Sequence, residues 1–465
     1  PISAWMVGPP LFLFALAAGR LLRVRPTARE VYRRGAIVRI SRSASHRPRR
    51  RGEAAGAAPL SLGGVTIRRE DETKHFKLIG TTGTGKTTAI GVLLRDAFAR
   101  GDRAVITDPD GAYLRRFYDR YRGDVILNPF EPHSVRWDPF AEVRGPYDYE
   151  ELARGLIPRS DDSSGREWRG YARTYVAAVL RRCDAEGVRD VTELWRLLAV
   201  AGNDEVRRVV AGTPAQPFLD PDNARMFGSI RSVAVSAIAA LEHVSVQRAA
   251  PFSVREWVTE GRGALFIPYR AGEIAALRSI IAIWMRLAIF EVMSRTDGER
   301  GRMWFVVDEL DALGAIDGLK DALARLRKFG GRCVLGFQSV AQVSSTYGGG
   351  EAQTLVENCG NTVILRCSGS EHGGTSQFAS RLIGEREVVR RHIARSRDRS
   401  GAFSSRGSRR STQVSEALAK EAAVLPSEVE QLADLAGYLK TASSPHWVRI
   451  SLAREAHRWR STTSA

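Results

Sequence analysis

Eight residues, Gly80-Thr-Thr-Gly-Thr-Gly-Lys86-Thr87, restrict the possible fold more than any other feature of this chain. Their spacing is GxxxxGK[ST]. The glycines permit torsions that a side chain would obstruct, so that backbone N–H groups can converge on phosphate oxygens. A lysine at the position of Lys86 brings a point charge to the β- and γ-phosphates of a nucleoside triphosphate. A hydroxyl at Thr87 is placed to bind Mg²⁺. The loop needs a strand before it and a helix after it. KHFKLI (Lys74–Ile79) supplies the strand, and TAIGVLLRDAFAR (Thr88–Arg100) has helical apolar spacing. The positive N-terminal end of that helix faces the anion. The expected nucleotide-binding set is Gly80, Thr81, Thr82, Gly83, Thr84, Gly85, Lys86, Thr87 and Thr88, with ATP and Mg²⁺ as ligands.

A phosphate cradle needs acids for the metal and for the attacking water. Trp304-Phe-Val-Val-Asp308-Glu309 is an apolar run with two carboxylates at its end. Strand tips of a parallel sheet face the ligand crevice, so Asp308 is read as a metal ligand with Thr87 and Glu309 as the group that polarises water. Gln338 ends the next strand, Cys333–Phe337. It is read as a γ-phosphate contact, with an ordinary strand-ending polar residue as the alternative. Asp108-Pro-Asp-Gly111 ends RAVIT (Arg103–Thr107), expected next to the P-loop strand. It either lines the crevice or simply turns the chain. GLKDALARLRKF (Gly318–Phe329) carries Arg325, Arg327 and Lys328 near its end. That is a natural place for solvated cations, and also for an arginine finger that reaches a neighbouring subunit.

Further along, the buried runs GALFIP, MWFVV, CVLGF and TVILR alternate with helical patterns. Strands separated by helices imply an α/β fold with a mainly parallel sheet covered on both faces. Between about 147 and 256 strand-like runs disappear and helical ones dominate, which predicts an all-α domain inserted between two halves of the nucleotide-binding domain. The halves are expected at 60–146 and 257–465, with a mobile Arg/Ser-rich loop near 394–412. Gly437–Thr441 and Trp447–Leu452 are expected as closing edge strands.

Residues 1–19 carry no charge and are mostly apolar, and Arg20, Arg23 and Arg25 follow them. A membrane helix needs about 20 apolar residues, and basic residues after a span mark its cytoplasmic side. A signal peptide would carry its charges before the run. A partial transmembrane segment is expected over 1–24, interrupted by Gly8-Pro9-Pro10, with an earlier segment expected before Pro1 and a basic linker over 25–59. The balance of 70 Lys+Arg against 52 Asp+Glu, a formal charge of +18, favours polyanionic partners, nucleic acid or an anionic membrane. The four scattered cysteines form no CxxC pair and are expected as core thiols.

Taken in order, FKLIGTTGTGKTT, VITDPDGAYLRRFY, RGDVILNPF, the helical stretch, WFVVDELDALGAIDGLKDALARLRKFGGRCVLGFQSVAQVSSTYGG and EAQTLVENCGNTVILR resemble the type IV coupling proteins of bacterial conjugation, of the TraD/TrwB kind. The resemblance runs from about Leu60 to Leu452. It implies a RecA-like P-loop ATPase anchored in the bacterial inner membrane with its motor in the cytoplasm. Such proteins form hexamers, link a relaxase–DNA complex to a type IV secretion channel, and drive single-stranded DNA through a central pore. Their helical domain lies at the cytoplasmic mouth of the ring. The resemblance also puts Arg327 at the finger position. Two departures are DPDG after the second strand and the Arg/Ser-rich loop. Two other readings stay open: a double-stranded DNA translocase of the FtsK or HerA type, and a docking receptor that recruits cargo without pumping.

Overall fold

FKLI, RAVIT, MWFVV and CVLGF are short and mostly apolar, and each becomes a strand largely buried on both faces. The computed structural model describes residues 30–41, 59–158, 163–295, 301–370, 373–397 and 410–461. In chain order its strands are β1 (Glu30–Gly35), β2 (Val38–Ile40), β3 (Leu60–Leu62), β4 (Val65–Ile67), β5 (Phe76–Ile79), β6 (Arg103–Pro109), β7 (Val125–Ile126), β8 (Arg136–Trp137), β9 (Pro251–Phe252), β10 (Ala264–Tyr269), β11 (Met303–Val307), β12 (Gly331–Phe337), β13 (Asn361–Ile364), β14 (Glu385–Arg397), β15 (Arg410–Ala422), β16 (Ala436–Lys440) and β17 (Trp447–Ser451). Ten of them build one sheet in the order β2-β17-β16-β13-β5-β12-β11-β6-β10-β7. From β13 to β7 every neighbouring pair is parallel.

Register aligns the strand tips. Ile79 of β5 lies opposite Phe337 of β12, and Val307 of β11 lies opposite Leu335 of β12. Gly80, Asp308 and Gln338 therefore leave the sheet along one edge. One expectation fails here: β6 is not beside the P-loop strand. β12 and β11 stand between β5 and β6, because the crossover through the helix Lys86–Ala99 carries the chain past two strand positions that later segments fill. The closing strands differ too. β16 and β17 return antiparallel, and β17 is not the edge, since β2 pairs parallel with it through Trp447 opposite Val38.

The helix Lys86–Ala99 buries Ala89, Ile90, Val92, Leu93, Leu94 and Ala97 against Leu78, Ile106, Trp304 and Val334 of the sheet. Where β6, β11 and β12 begin, a buried ionic cluster ties them together. Arg100 pairs with Glu72 at 2.7 Å, Arg332 with the same Glu72 at 3.1 Å, and Trp304 Nε1 donates to Asp102 at 3.0 Å. Every charge there has a partner, which is the condition for tolerating charges in a core.

Between β8 and β9 the described residues contain no strand, but the stretch expected to be all-α to 256 ends earlier, because Pro251–Phe252 pairs as β9 with Arg136–Trp137 of β8. Helices occupy Asp148–Leu156, Ser163–Ala185, Val191–Trp195, Asn203–Val209, Ala224–Ile238 and Ala240–Ser245. These helices and the ten-stranded sheet fall within a single compact unit.

A second unit comprises β1, β14 and β15. β14 pairs antiparallel with β15 over thirteen positions, from Glu385–Ala422 to Arg397–Arg410, and β1 pairs antiparallel with β14. Ion pairs join Arg34 to Glu387 at 2.7 Å and Arg386 to Glu421 at 2.9 Å. Val31, Tyr32, Val414 and Leu418 are exposed. Two expectations are corrected here. Residues 394–397 and 410–412 are strand rather than mobile loop, because ladder pairing overrides a composition rich in Arg and Ser. The supposed linker contains β1 and β2. Residues 398–409 lie outside the described residues, as does the expected segment at 1–24. Among the described residues no helix is long and apolar enough to cross a membrane. All four cysteines are free and buried.

Candidate nucleotide-binding site

The P-loop fills the turn between β5 and the helix Lys86–Ala99. Gly83 and Gly85 have φ of 77° and 114°, a region that side-chain-bearing residues rarely adopt. A Cβ on Gly85 would stand 2.9 Å from the Leu435 side chain. The loop is braced from several directions. Gly80 N donates to Phe337 O at 3.3 Å, Thr81 N to Arg366 O at 2.9 Å, and Leu435 N to Thr84 O at 2.9 Å. Thr84 Oγ1 donates to Thr81 O at 2.7 Å. Thr88 follows in the first helical turn, where backbone N–H groups have no partner within the helix.

Lys86 is buried, and its Nζ donates to Gly80 O at 2.6 Å and Thr81 O at 3.2 Å. An ammonium has three N–H donors. Burial pulls its pKa down, and Asp308 and Glu309 oppose that pull.

Asp308 and Glu309 leave β11 beside the loop, as its apolar run implied. Thr87 Oγ1 donates to Asp308 Oδ2 at 2.9 Å. That hydroxyl spends its one proton on the carboxylate and keeps its lone pairs for another partner. Tyr113 OH donates to the same Oδ2 at 2.7 Å. Asp308 is only 4% exposed, and its other oxygen, Oδ1, is buried with no hydrogen bond. An orphaned buried carboxylate oxygen beside a hydroxyl with free lone pairs is a donor set that fits a hard divalent cation such as Mg²⁺. Burial raises the Asp308 pKa, while hydrogen bonds from Tyr113 and Thr87 and the charge of Lys86 lower it. Burial also raises Glu309, reinforced by Asp308 and Asp311. Charges in so poorly hydrated a crevice interact more strongly than they would in water.

Gln338 lies where β12 ends. Its Nε2 donates to Glu309 Oε1 at 3.2 Å, and its Oε1 accepts from Thr82 Oγ1 at 3.0 Å. The structure thus brings together Lys86, Thr87, Asp308, Glu309 and Gln338. Arg327 is not with them. It sits exposed in the turn Leu326–Phe329, just before β12 begins. There its charge helps to depress the pKa of His75, at the start of β5. β5 and β12 both run from that end towards the P-loop, so Arg327 lies at the opposite edge of the sheet.

Sequence reasoning missed Tyr113 and left Asp108 open between crevice and turn; its carboxylate holds the turn. Asp108 is fully buried, and its two oxygens accept from Tyr113 N at 3.0 Å and Leu114 N at 2.6 Å. Burial pushes its pKa up to about 7, against those two bonds. Tyr269, fully parallel in register with Pro109 of β6, is also buried near these acids, which add to the burial that raises its phenol pKa. No sequence pattern distinguishes a tyrosine that reaches an acid of the crevice from one that fills a core.

Known proteins resemble this chain in sequence and in fold. Residues 59–453 match the model of the TrwB_AAD_bind family, the type IV secretion-system coupling protein DNA-binding domain. The chain is 29% identical over 402 residues to the coupling protein TraD of Escherichia coli (strain K12), covering 84% of this chain and 54% of TraD. It thus spans about half the length of that relative. The structure resembles the bacterial conjugative coupling protein TrwBdeltaN70 in its unbound monoclinic form, with a TM-score of 0.76, 29% identity, and coverage of 91% of this chain and 93% of that one. The plasmid coupling protein TrwB in complex with ADP and Mg²⁺ matches equally well, with a TM-score of 0.76, 29% identity, and coverage of 91% and 94%. With the P-loop, the acidic strand and Gln338 gathered on one edge of this sheet, the chain belongs to the family of type IV secretion-system coupling proteins.

Proposed function

We propose that this chain is the ATP-hydrolysing motor that couples a relaxase–DNA complex to a type IV secretion channel and pumps single-stranded DNA during conjugation. The observation that carries this reading is the Thr87–Asp308 hydrogen bond of 2.9 Å with Asp308 Oδ1 left bare beside it. The pairing links the phosphate loop to the acidic strand across the crevice, and a turn or helix cap would not need it. The TrwB structure bound to ADP and Mg²⁺ supports the same ligands here.

In this reading the backbone of Gly80–Thr88 cradles the phosphates and Lys86 neutralises the β- and γ-oxygens. Thr87 and, through water, Asp308 would hold Mg²⁺, which would supply screening of the charge between phosphates. Glu309 orients and deprotonates the attacking water. Gln338 holds Glu309 and senses the γ-phosphate position through Thr82. Arg327 serves the crevice of a neighbouring subunit in a homohexamer, which is consistent with its exposure and its distance along the sheet from its own crevice. Arginine fingers contribute roughly 10³–10⁵ in rate.

The helical stretch 147–256 acts as an all-α domain at the cytoplasmic mouth of the ring, and residues 1–24 anchor the chain in the bacterial inner membrane. The surplus of +18 favours backbone contacts with DNA, which makes binding salt-dependent and indifferent to sequence, and makes hydrolysis DNA-stimulated.

Complementing conjugation with Lys86→Ala tests the motor. Transfer should fall to background while relaxase recruitment persists. Unchanged transfer would refute pumping and leave the docking-receptor reading.

A further inference from the structure

We propose that Tyr113 is a positioning residue for the metal site: its hydroxyl fixes the carboxylate of Asp308 so that Oδ1 alone is presented to the cation. The inference rests on the nucleotide-site reading above and assigns a role to the DPDGAY turn.

The turn is built to hold this phenol in place. Asp110 and Gly111 take left-handed backbone, with φ of 56° and 65°, and fold the chain back after β6. Asp110 N donates to Tyr269 O at 2.8 Å, which ties the turn to the neighbouring strand β10. The Asp108 carboxylate then accepts from the backbone N–H groups of Tyr113 and Leu114. The aromatic ring is fully buried, which leaves it few alternative rotamers. Its hydroxyl donates to Asp308 Oδ2 at 2.7 Å, and Thr87 donates to that same oxygen at 2.9 Å.

A carboxylate oxygen that accepts two such bonds is occupied and fixed in plane. Rotation of the Asp308 side chain would break both bonds inside a site where water cannot replace them. Oδ1, with no bond of its own, is the oxygen of this carboxylate left to accept from a metal-bound water. Ligands oriented by a surrounding hydrogen-bonding shell commonly lose 10- to 100-fold in metal affinity when that shell is removed.

Tyr113→Phe deletes one oxygen and keeps the buried ring. In the full chain, Mn²⁺ binding would be measured by electron paramagnetic resonance with a non-hydrolysable ATP analogue present. The half-saturating Mn²⁺ concentration is expected to rise about ten-fold, while analogue binding in EDTA stays as in wild type. In an Asp308→Asn background, adding Tyr113→Phe should have no further effect on Mn²⁺, because the tyrosine acts through that carboxylate. Superimposable Mn²⁺ titrations of wild type and Tyr113→Phe overturn the proposal, and so does an undiminished effect in the Asp308→Asn background. Failure of the wild type itself to bind metal and nucleotide overturns the nucleotide-site reading instead. If Tyr113→Phe does not fold, Asp108→Asn weakens the same clamp from its base and should shift Mn²⁺ in the same direction. An unshifted titration of that variant also contradicts the proposal.

Discussion

Gln338 Nε2 donates to Glu309 Oε1 at 3.2 Å, and the same amide accepts from Thr82 of the phosphate loop. Gln338 thus joins Glu309, the proposed water-activating group, to the proposed phosphate loop. Gln338→Ala removes both bonds and frees Glu309 to rotate. Hydrolysis should fall about 10- to 100-fold, the scale of a misplaced catalytic group, with ATP affinity changed little. Steady-state turnover alongside equilibrium nucleotide binding checks the split.

Arg327 makes a prediction about assembly. Its exposure at the strand-start edge means that Arg327→Ala should leave nucleotide binding by the chain intact yet abolish ring hydrolysis. Mixing Arg327→Ala subunits with Lys86→Ala subunits should restore measurable turnover, since some interfaces then pair an intact loop with an intact arginine. Mixtures as inactive as either parent would place the finger elsewhere.

Gly336 sits in β12 against the acidic strand tip. A Cβ there would lie 2.3 Å from Asp308 O, a backbone atom that cannot swing aside. Gly336→Ala should destabilise by about 1–3 kcal/mol through overpacking and displace Asp308 from Thr87. Thermal melting together with Mg²⁺-dependent nucleotide binding would register both effects.

His75 predicts a dependence on pH. The ring is buried, with Nε2 donating to Leu323 O at 2.9 Å and Nδ1 accepting from Cys333 N at 3.0 Å. Burial depresses its pKa to about 4, with the charges of Arg332 and Arg327 adding to the effect against the Leu323 bond. The unfolded chain titrates near 6.5, so between those values it binds more protons than the folded one. Stability from this group is full above about pH 6.5 and is lost as pH falls towards 4. His75→Gln keeps a neutral donor and acceptor. Between pH 7 and 5 wild type should lose about 2 kcal/mol more than the variant, as read from denaturant midpoints.

Much of the site was legible because its chemistry is local in sequence. A glycine loop, an apolar run ending in Asp308-Glu309 and a strand ending in Gln338 each carry their own signature, and parallel register does the rest. Strand order was harder. Nothing in RAVITDP says that β11 and β12 will insert between it and β5, because that depends on crossovers made two hundred residues later. Tyr113 escaped notice for a related reason: its partner Asp308 is 195 positions away, and only the folded sheet brings them together. β14 and β15 were obscured by composition. ARSR and RSTQVSEALAKEA carry weak strand alternation, and the thirteen-residue ladder between them is a non-local cooperative feature. β1 and β2 were hidden among arginines that made the segment look like a tether.

Lys86, Thr87, Asp308 and Glu309 are expected to act as one hydrolytic site. The most direct test is the rate of phosphate release from ATP by the full chain, with Mg²⁺ and single-stranded DNA, in wild type and Glu309→Gln. Wild type should turn over ATP faster with DNA. The variant should bind ATP normally and hydrolyse it about 10²–10⁴-fold more slowly, as expected for loss of a general base. Equal rates for the two folded proteins, or no turnover by wild type at any DNA or salt concentration, would exclude hydrolysis driven by Glu309 at this site.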